Sequence, residues 1–263
     1  MQDKVGDLTE YYMMLLKGLV YGLSPILVVL AVLMACQIFA FKAAIRAFGY
    51  NAILYTGVIG TSLHEIAHAF MCVLFRHKIT EVKLFKPDND GTLGYVNFSY
   101  NPASLYQRIG LFFVGLAPFF MALVYFFLTT YFFLGVNLLS GTEWVTSYGA
   151  VVEDLRNFIY IVLNSGVDSV LWSLSMAAVV LHMMPSPQDL KGARTGAVMI
   201  LMLYLVIVSS IFVYSGTLEW VHEWIFEVSL TSVLYLSKLM LTFSVFLLIM
   251  AAISKAFVVI MRK

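Results

Sequence analysis

Charge is what this sequence has least of. Asp, Glu, Lys and Arg make up 12% of its 263 residues, where an ordinary soluble domain carries about 25%. Hydrophobic residues account for 61% of the chain, and its mean hydropathy is +0.90. Too little polar surface remains to cover a globule in water, so lipid must be part of the solvent. The formal net charge of +1 leaves no basic excess for nucleic acid and no acidic tail. Cysteine is as scarce. Cys36 and Cys72 both sit in apolar runs and read as buried thiols; neither their number nor their spacing suggests a disulfide framework or a cysteine-based zinc site. No internal repeat or low-complexity segment divides the chain, which reads as one membrane domain over residues 1–263.

What the sequence does have is long apolar runs. A spanning helix needs about 20 mostly apolar residues, and six segments qualify: 19–41, 51–75, 109–134, the shorter 170–184, 195–215 and 228–253. The first is too long for a signal-peptide core and lacks a small-residue cleavage site, so it reads as a retained span. The expected fold is therefore an all-α polytopic membrane protein. Lys and Arg set its orientation. With six spans, one face collects twelve basic residues, from Lys4 through the 76–108 loop and Lys191 to Lys263. The other face holds Lys42, Arg46 and Arg156, with Lys238 inside the last span. Both termini are expected in the cytoplasm. On the outer face, residues 151–163 have helical apolar spacing suited to the interface, and Trp220 and Trp224 read as an aromatic belt.

The second span carries the chemistry. It reads Thr61-Ser62-Leu63-His64-Glu65-Ile66-Ala67-His68-Ala69-Phe70. Positions i and i+4 stack on one helix face, so His64 and His68 can offer both imidazoles to one zinc ion. Glu65 lies beside them as a base for zinc-bound water. Ionisable groups inside an apolar span are costly and point to function. Gly57 and Gly60 let a second helix approach closely.

Catalytic zinc takes three protein ligands, and residue type nominates Asp189, His182, Glu223 and His77. Glu223 falls on the wrong face, and His77 lies about 13 Å along the axis from His68. Asp189 and His182 both remain, in the segment Leu181-His182-Met183-Met184-Pro185-Ser186-Pro187-Gln188-Asp189-Leu190-Lys191-Gly192. Its two prolines break the helix there, as is tolerated at membrane depth beside a polar cavity. His64 precedes Arg76 by about 18 Å of helix, whereas Lys191 and Arg194 hold Asp189 near the surface. The two can meet only if the 185–188 segment dips inward or the second helix tilts.

Together these motifs resemble the site-2 protease family of intramembrane zinc metalloproteases. The family pairs a His-Glu-x-x-His span with a later Asn-x-x-Pro and Asp-Gly motif; here His182-Met183-Met184-Pro185 stands at the former and Asp189 at the latter. Gly115-Leu116-Ala117-Pro118 is also similar. His182 replaces the family Asn, Leu190 replaces its Gly, and the Pro-to-Asp spacing is one residue shorter. The resemblance covers the second to fourth spans. It implies zinc held by His64, His68 and Asp189, Glu65 as catalytic base, and a membrane-protein substrate.

Between the second and third spans, 79–85 and 92–100 alternate as strands do and flank the turn formers Lys86-Pro87-Asp88-Asn89-Asp90-Gly91. A cytoplasmic β-hairpin is expected, either as a cap or as an edge that pairs with unwound substrate. The family has a similar sheet near its active site. The expected function is zinc-dependent hydrolysis of peptide bonds in or beside the membrane. The alternative is a metal-binding transporter or sensor, which should carry more intramembrane carboxylates or paired half-helices than these spans do.

Overall fold

A computed structural model describes residues 37–88, 91–136 and 148–215, with isolated positions at Tyr12, Met13, Leu16, Ala31, Met34, Ala35, Ala252 and Val259. Most of the 19–41 run, the whole of 216–250, Cys36, and the Trp220, Trp224 and Glu223 region lie outside the described residues. The architecture is mostly helical with one small antiparallel sheet. A helix whose described part covers 37–48 (α1) leads into α2, Tyr50–Leu74. Then come β1, Lys78–Lys83, and β2, Tyr95–Ser99. The rest is helical: α3, Leu105–Gly115; α4, Ala117–Leu134; α5, Tyr148–Asn164; α6, Gly166–Val180; and α7, Pro187–Ser215.

Three of these are long and apolar enough to cross a membrane: α2, α4 and the Pro187–Ile207 part of α7. The α5 and α6 pair, bent by 111°, makes a fourth if counted as one span. This differs from the expected spans in three ways. The uncharged run 109–134 is two helices, because Pro118 has no N–H to give and disfavours helical backbone just before it; Leu116 sits at the break with φ −101 and ψ 5. Residues 170–184 fall partly in α6, which is only 15 residues long. The expected basic loop around Lys191 is instead the opening of α7, which begins at Pro187. Proline suits a first helical turn, where its missing N–H costs nothing.

α2 ends by a Schellman closure. The N–H of Arg76 donates to the Val73 carbonyl at 3.1 Å and that of His77 to Cys72 at 2.8 Å, with Arg76 at φ 58 in the left-handed conformation such caps require. α3 holds this end: the Tyr106 hydroxyl donates to the Leu74 carbonyl and the Gln107 amide to that of Arg76. The expected hairpin is present. Ile79 pairs with Phe98 and Val82 with Val96, and a register shift falls between Ile79 and Glu81. His77 pins the hairpin to α3: its ring stacks on Phe98 at 5.2 Å and its Nε2–H donates to the Gln107 carbonyl at 2.8 Å.

Between apolar helices in lipid, packing rather than dehydration drives association, so small residues mark the contacts. Gly60 fulfils its expected role: a Cβ there would fall on the Ala178 carbonyl. α3 and α7 meet in the same way. A Cβ on Gly115 would strike the Asp189 carbonyl, and one on Gly196 the Phe112 backbone. That order of contacts makes α7 antiparallel to α3. Away from the site, Phe126, Phe158, Trp172, Met176 and Val180 form a buried aromatic core.

Candidate metal centre

The two histidines and the aspartate converge. His64 and His68 project from one face of α2, and Asp189 comes from the first turn of α7. His68 Nε2 lies 3.4 Å from Asp189 Oδ1, and His64 Nε2 lies 3.9 Å from Oδ2. The two Nε2 atoms are 3.1 Å apart. Ligands of a tetrahedral zinc with bonds of about 2.0–2.1 Å stand about 3.3 Å from one another, so these separations suit such an ion.

The hydrogen bonds around the ligands dictate the same arrangement. His64 Nδ1 lies 2.7 Å from the His182 carbonyl, and His68 Nδ1 lies 2.8 Å from the Val114 carbonyl. A carbonyl only accepts, so each Nδ1 carries a proton, and in the neutral ring each Nε2 presents a lone pair. With both rings neutral, two lone pairs and a carboxylate face one point with no donor among them. That donor set is satisfied by a cation. Zinc-binding histidines commonly donate their other N–H to a carbonyl or carboxylate, which fixes ring and tautomer.

Asp189 is fixed from its own helix. The Ser186 N–H donates to Asp189 Oδ2 at 2.7 Å, and the Asp189 N–H donates to the Ser186 hydroxyl at 3.1 Å. This reciprocal pair is a capping box with aspartate in the third position. Of the two candidates for the third position, the structure brings Asp189 to the histidine pair. The His182 ring is engaged elsewhere, with Nε2 3.0 Å from the Thr56 hydroxyl and Nδ1 3.0 Å from that of Thr61. Its carbonyl, not its imidazole, serves the site. His77 stands away with the hairpin, and Glu223 lies outside the described residues. Sequence reasoning missed Thr56, Thr61, Ser186 and the Val114 carbonyl. Ser186 carried a signal, since Ser-x-x-Asp before an apolar run is a capping pattern; the others carried none.

Glu65 is buried, and its carboxylate enters no hydrogen bond or ion pair among the described residues. It borders a cleft of about 850 Å³ whose walls include His64, His68, Asp189, Ser186, Lys191 and the hairpin. Gly94 closes over it: a Cβ there would lie 2.9 Å from Glu65 Cγ. Gly94, Tyr95, Val96, Asn97 and Phe98 all line the cleft. Side chains alternate across a strand, so a run of consecutive lining residues means that β2 presents its edge. No other strand pairs with that edge among the described residues. Compared with protein families, with curated proteins and with solved structures, the chain matches none of them. The geometry of the site alone carries the functional reading.

Proposed function

We propose that this protein is an intramembrane zinc metalloprotease of the site-2 protease type, hydrolysing peptide bonds of membrane-embedded or membrane-adjacent proteins. The observation that carries the reading is the convergence of His64, His68 and Asp189 beside an uncommitted Glu65, in a cleft bordered by a strand edge. His64, His68 and Asp189 would hold the ion. Zinc bound there supplies Lewis acidity toward a carbonyl oxygen and acidifies a water at its open position.

The remaining work belongs to the chain. Glu65 takes a proton as water oxygen bonds to the scissile carbonyl carbon. It returns that proton to the nitrogen as the C–N bond breaks, which gives a carboxylic acid and an amine, and transfer of the acid's proton to the amine leaves a carboxylate and an ammonium. A helical substrate hides its carbonyls, so it must unwind before reaction. The free edge of β2 offers backbone donors and acceptors to the unwound segment, as in other strand-addition complexes. The membrane arrangement we propose has six spans. Four come from α2, α4, the α5–α6 pair and α7, and the 19–41 and 228–253 runs add two. The basic residues then favour a cytoplasmic hairpin and cytoplasmic termini.

The test is zinc analysis of the purified protein together with cleavage of a panel of single-span membrane proteins. About one zinc per chain and cleavage of at least one substrate, abolished by chelation, support the proposal. Stoichiometric zinc without cleavage of any panel member favours the transporter or sensor reading.

A further inference from the structure

Glycine is among the poorest residues for a helix interior, so a glycine inside α7 calls for a reason. Elsewhere the chain supplies one. Of the glycines whose surroundings are described, four have positive φ. At each of the others except Gly192, a Cβ would come within 3.0 Å of a neighbouring group. Gly192 lies within helical backbone, and a Cβ there would meet nothing closer than the Leu111 carbonyl at 3.9 Å, an ordinary contact. Neither backbone nor packing asks for glycine at this position. What the missing side chain leaves is room, beside the cleft that Gly192 lines.

The walls of that room are polar. Residues three and four apart are neighbours on a helix surface, so Gln188 and Asp189 stand one turn before Gly192 and Thr195 one turn after. All three line the same cleft, and Gln188 and Thr195 are exposed. The Thr195 hydroxyl donates to the Lys191 carbonyl at 3.2 Å, which leaves its oxygen as an acceptor, while a glutamine amide both donates and accepts. Gly192 is thus the floor of a notch with polar walls, one turn of α7 from Asp189. The edge of β2 borders the same cleft, so a substrate strand laid along it lies in one space with both the notch and the candidate ligands.

We propose that Gly192 is a specificity-determining residue, whose notch takes the side chain of a substrate residue beside the scissile bond. The polar walls fit a neutral polar side chain of about the size of glutamine. This rests on the protease reading and narrows its substrate class. A spanning segment is mostly apolar, so one polar residue in it marks a single place for cleavage.

The experiment uses the full-length protein in lipid nanodiscs and a single-span membrane protein that wild type cleaves, with the cleaved bond located by mass spectrometry. The residues on either side of that bond are varied among Ala, Leu and Gln, and kcat/KM is measured for wild type, Gly192→Ala and Gly192→Leu. Both variants should fold, since each puts a better helix former into open space, and both should keep wild-type zinc content. At one of the two substrate positions, wild type should favour Gln over the similarly sized Leu by at least about 10-fold. Gly192→Leu should lower kcat/KM for the Gln substrate at least about 10-fold while leaving the Ala substrate within about threefold, with Gly192→Ala in between. An unchanged preference in Gly192→Leu, an equal loss on every substrate, or a wild type indifferent between Gln and Leu would each overturn the inference. A separate arm needs no cleavage: in Gly192→Cys the introduced thiol should react with a water-soluble thiol reagent well above the wild-type background, and an unreactive thiol would show that no open notch exists. A wild type that cleaves no member of the substrate panel would sink the protease reading and the substrate assignment with it, whereas cleavage without the predicted change in preference would sink this inference alone.

Discussion

The carbonyl oxygen of His182 lies 2.7 Å from Nδ1 of His64, while both ring nitrogens of His182 are taken up by Thr56 and Thr61. His182 therefore contributes to the centre through its backbone. Its imidazole fastens the end of α6 to α2.

This arrangement separates His182 from Asp189 by experiment. His182→Ala removes the ring but keeps the carbonyl. Zinc should stay bound near one per chain, while the Thr61 hydroxyl loses its partner at a cost of about 1–3 kcal/mol of stability if left unpaired; Thr56 keeps its bond to the Ala52 carbonyl. Asp189→Ala removes a proposed ligand, so zinc affinity should fall by more than the roughly 10–100-fold typical of an outer partner. Metal analysis of the two variants side by side decides the point. Zinc lost from His182→Ala and retained in Asp189→Ala would reverse the assignment.

Much of this centre was legible in the sequence, because its parts obey local rules. The i, i+4 spacing placed His64 and His68 on one face whatever the tertiary context, and Gly60 announced a close helix approach. The alternation around 79–85 and 92–100 marked the hairpin. Depth was not legible. Treating 109–134 as one span and starting the fifth at 195 left Asp189 at the surface, about 18 Å of helix from where His64 lay. In the structure α3 stops beside His68, and α7 starts there rather than at Thr195. The clues were local: Pro118 in an uncharged run, and Ser186-Pro187-Gln188-Asp189 as a helix start. Hydropathy hid both, since proline barely interrupts an apolar average and Lys191 and Arg194 pull the apparent span start downstream. The threonines that hold His182 follow no sequence rule and emerge only when α2 meets α6.

Strand addition makes a prediction that leaves the metal site untouched. Proline at Val96 or Phe98 removes one backbone donor from β2. Where that donor lies on the free edge, kcat/KM should fall about 2–10-fold, matching a hydrogen bond worth roughly 0.5–1.5 kcal/mol, with zinc content unchanged. Undiminished cleavage with proline at each β2 position in turn would exclude this mode of substrate binding.

His77 ties the hairpin's attachment to pH. Burial holds its pKa below the ordinary histidine value, and its Nδ1 is buried without a hydrogen-bond partner among the described residues. The neutral ring is thus the form the fold accepts, and it keeps its bond to the Gln107 carbonyl. A histidine with a depressed folded pKa contributes full stability above its unfolded pKa, about 6.5, and loses it as pH falls through the folded value. Hydrogen exchange at the β2–α3 junction should therefore quicken as pH drops below about 6.5, after correction for intrinsic rates. His77→Phe should flatten that dependence, while an identical profile in the variant would place the titrating group elsewhere.

Glu65→Gln tests the protease reading most directly, because it keeps the shape of the side chain and removes the proton acceptor. The measurement is turnover of a membrane-protein substrate by purified wild type and Glu65→Gln at matched zinc occupancy. Loss of general-base catalysis lowers rate by about 10²–10⁴-fold, so turnover should fall by at least that much while zinc remains near one per chain. A Glu65→Gln protein that binds zinc and cleaves at the wild-type rate would contradict the proposed mechanism and leave these residues as a site for holding a metal rather than using it.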